Sequence, residues 1–146
     1  MRTTTAKDVV LDAWRTFGSR DPERVGAVFT GDAEWLAPPG NAAARLVGGH
    51  HLVGRERIVR FLVEEFPAVF GTGISSEVGE VVGEGDVVVL QTRLRSTLPN
   101  GRRYDNDYCF LVDVRDGRIH RVREHLDTHR GLLAFGLVDD PGAPTA

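Results

Sequence analysis

The chain has 146 residues, 41% hydrophobic and 27% charged, with a formal net charge of −3. That length supports one domain with a sizeable core, and the slightly acidic balance excludes the global basic field that draws nucleic acid. The single cysteine, Cys109, excludes an internal disulfide and fits a reducing cytoplasm; no apolar run approaches the roughly 18 residues that span a bilayer, and the N-terminus lacks an apolar signal core.

In residues 5–17, Val9, Val10, Ala13, Trp14 and Phe17 recur at helical spacing. Thr5 can cap this helix, Asp8 suits the positive end of its dipole, and Gly18 ends it. A second helix starts at Asp21 and Pro22, an N-cap followed by a first-turn proline, with Val25, Val28 and Phe29 on one face. "AEWLA" reads as a short strand. Residues 38–53, "PPGNAAARLVGGHHLV", read as a long irregular loop, either functional or mobile, and as a flap hinged at Gly48 and Gly49. His50 and His51 are not read as metal ligands, because adjacent histidines point different ways and no carboxylate sits at ligand spacing. A third helix runs from Gly54 to about Phe66, with Ile58, Val59, Phe61, Leu62 and Phe66 inward, and Pro67 ends or kinks it.

The second half is a ladder of strands, "GISSEVGEVVG", "DVVVLQTRLRSTL", "RRYDNDYCFLVDV" and "GRIHRVREHLD", separated by "GEGD", "PNG" and "RDG". The last two separators are strong hairpin signals, so the strands form an antiparallel meander. Helices followed by a meander predict an α+β domain, a bent sheet wrapped over helices. The predicted cone spans residues 1–131; residues 132–146 hold an apolar segment, which closes the domain or docks on a partner, and a disordered tail, "DDPGAPTA".

Strand faces point to a pocket. On residues 103–114 the even positions Tyr104, Asn106, Tyr108, Phe110, Val112 and Val114 form the inward face. It grades from apolar to polar toward Tyr104, as a pocket wall does, or as a sheet end does where Asn106 and Tyr108 simply hydrogen-bond to backbone. On the last strand Val122, Glu124 and Leu126 share one face, with Glu124 a carboxylate on the apolar side. Arg121, Arg123, His125 and Asp127 share the other. That second face either lies in solvent or lines a cavity. In a cavity, His125 and Asp127 sit about 7 Å apart, one able to shuttle a proton near neutrality and the other to orient it. Trp14 and Trp35 are core residues or stack on a flat ligand.

The element order, ending in "DNDYCFLVDVRDGRIHRVREHLDT", resembles the SnoaL-like group of the nuclear transport factor 2-like superfamily, over roughly residues 5–130. Members more often have Tyr where His125 stands. The resemblance implies a cone of curved sheet around helices, with a deep apolar pocket, often in a homodimer. Ketosteroid isomerases of this superfamily use an Asp and a Tyr that fall here at Ala37 and Ala13, so that mechanism is not expected. Limonene epoxide hydrolases use an Arg-x-Asp pair, which falls at Gln91 and Arg93, and a last-strand Asp, which falls at Asp127; one of the three remains, so that route is not expected either. That alignment implies that Asp127 points into the pocket. SnoaL-type polyketide cyclases close a ring by an aldol reaction without a cofactor, using an Asp with a His nearby.

The combined expectation is a cofactor-independent cyclase or isomerase of a small, apolar, oxygenated metabolite. Asp127 is its acid/base and His125 the partner; Asn106 and Tyr108 orient the substrate oxygen; Trp14, Trp35, Phe61, Gln91 and Tyr104 form the binding walls. The alternatives are a non-catalytic carrier and a pocket that promotes cyclisation by shape alone. No metal, nucleic acid or membrane is expected as a partner.

Overall fold

The computed structural model describes residues 3–140. Helix α1 (Ala6–Phe17) begins with a capping box: the Thr5 hydroxyl accepts from the Asp8 backbone N–H and the Asp8 carboxylate from that of Thr5, both at 3.1 Å. It buries Val10, Ala13 and Phe17. Helix α2 (Pro22–Ala27) is capped by Asp21, which accepts from the N–H groups of Glu23 and Arg24. Strand β1 (Phe29–Leu36) follows directly.

The expected long loop is instead folded. It holds helix α3 (Ala42–Val47) and the short strand β2 (His51–Val53). Ala42, Ala43 and Ala44 are all buried, so α3 packs through close approach of its backbone, not through a stripe of large apolar residues. Helix α4 (Arg55–Arg60) then enters a π turn (Phe61–Glu65) and continues as α5 (Phe66–Phe70). Pro67 does not end this rod near Phe66. The Phe66 N–H bonds to Phe61 O, five residues back, and Pro67 falls in the first turn of α5, where a missing N–H costs little.

The meander forms as its turns predict. Strands β3 (Thr72–Glu84), β4 (Val87–Thr97), β5 (Arg103–Arg115) and β6 (Arg118–Leu126) pair antiparallel in succession. Asp116 and Gly117, at φ 52° and 76°, make the tight β5–β6 turn. The full order is β2-β1-β6-β5-β4-β3. One junction departs from an all-antiparallel sheet: β1 runs parallel to β6, with Trp35 opposite Val122. The even face of β5 is buried from Tyr104 to Val114.

Helix α6 (Thr128–Ala134) follows β6. Beyond it the Phe135 ring packs 5.6 Å from Phe70 and 5.7 Å from Tyr104, so this apolar segment lies on its own domain. Most of the tail expected to be disordered, residues 141–146, lies outside the described residues. β3 is one edge of the sheet, opposite β2, and Val78 and Val82 are exposed on it. Among the described residues no helix is long and apolar enough to cross a membrane.

Gly71 joins α5 to β3 at φ 83° and ψ −127°, and a Cβ built there would lie 2.1 Å from the backbone oxygen of Thr97. Gly73, at φ 62°, has open space around it. Gly71→Ala is therefore expected to cost about 3 kcal/mol or more in urea unfolding, and Gly73→Ala only about 1 kcal/mol. Equal costs at the two positions would show that the approach of Thr97 does not constrain the α5–β3 junction.

Candidate active site

The curl of the sheet encloses a cavity of about 380 Å³ between its inner face and the helices. Its walls are aromatic. Trp14 of α1 and Trp35 of β1 stack with ring centroids 6.1 Å apart. Phe110 of β5 meets both edge-on, at 5.0 and 5.9 Å, and Phe61 of the π turn lies 6.0 Å from Trp35. All four rings line the cavity. Strand alternation puts Trp35 and Phe110 inward, and the π turn brings Phe61, Leu62 and Phe66 to the same wall.

One carboxylate stands among these rings. Glu124 lies opposite Phe110 on β6, lines the cavity, and is only 8% exposed. Two neutral donors hold it: Trp35 Nε1–H donates to Oε1 at 3.1 Å and Asn41 Nδ2 to Oε2 at 3.3 Å. No cation pairs with it among the described residues. Burial penalises the charged form more than the Trp35 hydrogen bond favours it, so the pKa of Glu124 is pushed up to about 7. Asn41 is the N-cap residue of α3, yet its side chain makes no capping bond and is spent on Glu124 instead.

A hydroxyl chain runs along β5. The Tyr104 and Tyr108 hydroxyls share a hydrogen bond of 2.5 Å, and Asn106 Nδ2 donates to Tyr104 Oη at 3.2 Å. Tyr108 lines the cavity, stacked on Phe110 with centroids 5.8 Å apart. Burial holds the Tyr108 hydroxyl well above its ordinary pKa, and Tyr104 is raised for the same reason.

Trp14, Trp35, Phe61 and Tyr108 line the cavity, while Tyr104 and Asn106 are buried and do not line it. His125, Asp127 and Gln91 do not reach it. His125 and Gln91 flank Cys109 on the outer, exposed side of the sheet, since alternation turns Leu90, Thr92 and Glu124 inward. β6 ends at Leu126, and the exposed Asp127 caps α6, its side chain accepting from the Arg130 N–H at 3.0 Å. The expected placement of Asp127 in the pocket is therefore corrected: the carboxylate there is Glu124. Asn106 does touch Asp127, but through the Asp127 backbone oxygen. Glu124 was visible as the acid on an apolar face. Asn41 gave no such signal, because its role depends on a helix that the sequence did not show.

A curled sheet closed over helices around an aromatic pocket is the cone fold of nuclear transport factor 2-like proteins. Within it, the chain belongs to the family of the SnoaL-like domain, which matches residues 10–122. Among solved structures it is similar to TerC, co-crystallised with polyporic acid, with 26% identity over 91% of this chain and 99% of that one and a TM-score of 0.78. A nuclear transport factor 2-like protein of unknown function from Burkholderia pseudomallei shares the fold at 21% identity, covering 91% and 98% of the two chains, with a TM-score of 0.79. So does a putative SnoaL-like polyketide cyclase from Jannaschia sp. CCS1, at 18% identity, 95% and 99% coverage and a TM-score of 0.73. No curated protein matches the chain.

The raised pKa of Glu124 has a stability consequence. The folded state holds the proton more tightly than the unfolded chain, where the group titrates near 4.5. This contribution is complete below that value and is lost as pH rises through about 7. Glu124→Gln removes the dependence. Its stability relative to wild type should therefore rise by roughly 3 kcal/mol between pH 4.5 and pH 8, read from urea unfolding at each pH. A difference that stays constant with pH would mean that Glu124 titrates normally.

Proposed function

We propose that the protein is a cofactor-independent acid/base enzyme, a cyclase or isomerase of a small, largely apolar, polyketide-like carbonyl compound, with Glu124 as the proton-transfer group. The observation that carries this reading is a lone carboxyl, with its pKa pushed up to about 7, on the wall of an aromatic cavity. Near neutral pH such a group is present in both forms, so it can take a proton from carbon and return it. Membership of the SnoaL-like family supports the reading, as does the likeness to TerC, which was crystallised with an organic ligand.

The chemistry balances without an external reagent. The Glu124 carboxylate takes a proton from a carbon next to a carbonyl, and the electron pair moves into the C=O bond to give an enolate. Tyr108 donates a hydrogen bond to the enolate oxygen. In an isomerisation, the Glu124 carboxyl returns the proton to a different carbon. In a cyclisation, the enolate carbon attacks a second carbonyl of the same molecule, and the proton goes to the alkoxide that forms.

The hydroxyl chain suits this role for Tyr108. Asn106 donates to Tyr104, and either hydroxyl can donate in the Tyr104–Tyr108 bond; when Tyr104 donates, the Tyr108 proton is left for the ligand. Asn106 and Tyr104 are then positioning residues. Trp35 has two tasks, one face for the ligand and an N–H that keeps the Glu124 carboxylate aimed.

The test uses 2-tetralone, a bicyclic aromatic ketone with enolisable C–H bonds, and follows deuterium wash-in from D₂O by NMR. Wild type should accelerate exchange, with a rate that climbs with pH and levels above about 7, as a base of that pKa requires. Glu124→Gln should lower the catalysed rate by about 100-fold or more while binding persists. Equal exchange in the two proteins would remove Glu124 from the mechanism. Binding without exchange in wild type would make the protein a carrier.

A further inference from the structure

At some distance from Glu124 the cavity wall carries a cation. Arg20 lines the cavity just after α1, with its backbone at φ 54°, in the left-handed region that non-glycine residues seldom occupy. Its Nη1 donates to Phe17 O and to Leu62 O, each at 3.1 Å, and its guanidinium carbon lies 4.9 Å from the centroid of the Phe66 ring. The Leu62 contact follows from the π turn: the π-spaced donor to Leu62 O would be Pro67, which has no N–H. The arginine head is thus fixed by two backbone oxygens and an aromatic face.

Among the described residues it has no acid partner. Arg57, Arg93, Arg115 and Arg121 each meet a carboxylate, whereas no ion pair reaches Arg20 among the described residues. Nε and Nη2 make no hydrogen bond to the protein among those residues, which leaves the fork of donors that matches a carboxylate. Partial burial without a compensating charge lowers the basicity of Arg20. Arg15 also lines the cavity, but it is exposed and paired with Asp12 at 3.1 Å. Trp35 connects the two ends: its N–H holds Glu124, and its ring lies 6.2 Å from Phe17 and 6.0 Å from Phe61, beside the carbonyls that anchor Arg20.

We propose that Arg20 binds an acidic group of the ligand, so that the cavity selects a flat aromatic or polycyclic organic acid carrying one anionic group, with its ring on Trp35 and its uncharged end toward Glu124. This rests on reading the cavity as the ligand site. It does not depend on proton transfer by Glu124.

A matched pair of probes tests it: 8-anilinonaphthalene-1-sulfonate, an anion, and N-phenyl-1-naphthylamine, the same skeleton without the charge. The chain has 2 tryptophans and both line the cavity, so quenching of tryptophan emission reports occupancy of this site. Wild type should bind the anion about 10-fold more tightly than the neutral probe, in line with one charge-assisted contact. Arg20→Gln should bring the ratio near unity and leave the neutral probe within about 2-fold of its wild-type affinity. Arg20→Lys should keep part of the preference, and Arg15→Gln all of it. Should Arg20→Gln not fold, the wild-type ratio and Arg20→Lys still decide. Equal affinity of the two probes in wild type overturns the proposal, as does an unchanged ratio in Arg20→Gln or a ratio abolished by Arg15→Gln. Glu124→Gln should keep the anion preference while losing deuterium exchange, so failure of the acid/base reading and failure of this one are separable.

Discussion

A carboxylate with no counter-ion among the described residues, held among aromatic rings, is the constraint around which this molecule is built. Removing an ionised group from water is costly unless hydrogen bonds replace its hydration, and among the described residues only an indole N–H and an amide do so. Neither carries charge, so the acid stays weak and keeps a proton near neutrality. The arrangement needs three separate parts of the chain: β1 for Trp35, the start of α3 for Asn41, and β6 for Glu124 itself. The parallel pairing of β1 with β6 brings the first and third together, because it sets Trp35 and Glu124 on neighbouring strands facing the same interior.

Much of the fold follows from periodicity. The even residues of β5 face inward because alternation allows nothing else once Phe110, Val112 and Val114 seek the core. The same rule on β6 puts Glu124 inside with Val122. The expectation that Asp127 lay in the pocket came from alignment with relatives, and it fails because β6 ends one residue earlier and Asp127 is drawn into capping α6. Strand parity also disposes of Gln91, which shares the outer face with Cys109. Trp14, Trp35 and Phe61 were legible as large apolar side chains on inward faces. Helix α3 was not, because three small alanines give no amphipathic stripe, and without α3 there was no reason to single out Asn41.

Two local rules are broken beside the cavity, and both breaks serve it. An asparagine at a helix N-cap ordinarily bonds to the helix; Asn41 leaves that bond unmade. A helix ordinarily keeps its i to i−4 ladder; ahead of Pro67 the ladder widens into a π turn, which turns Phe61, Leu62 and Phe66 toward the cavity and presents Leu62 O to Arg20. Departures of this kind concentrate where function outweighs local stability.

The separation between the partners of the acid also shapes how the chain reaches its native form. Trp35 and Glu124 are 89 residues apart, and Asn41 and Glu124 are 83 apart. The hairpins of β3 to β6 close over short turns, but docking β1 and α3 on β6 must close most of the chain at once, and long-range pairing of this kind is slow. Desolvation of the acid therefore depends on that closure. Without these contacts the polypeptide holds an ordinary hydrated glutamate, and the chemical character of the residue belongs to the assembled fold alone.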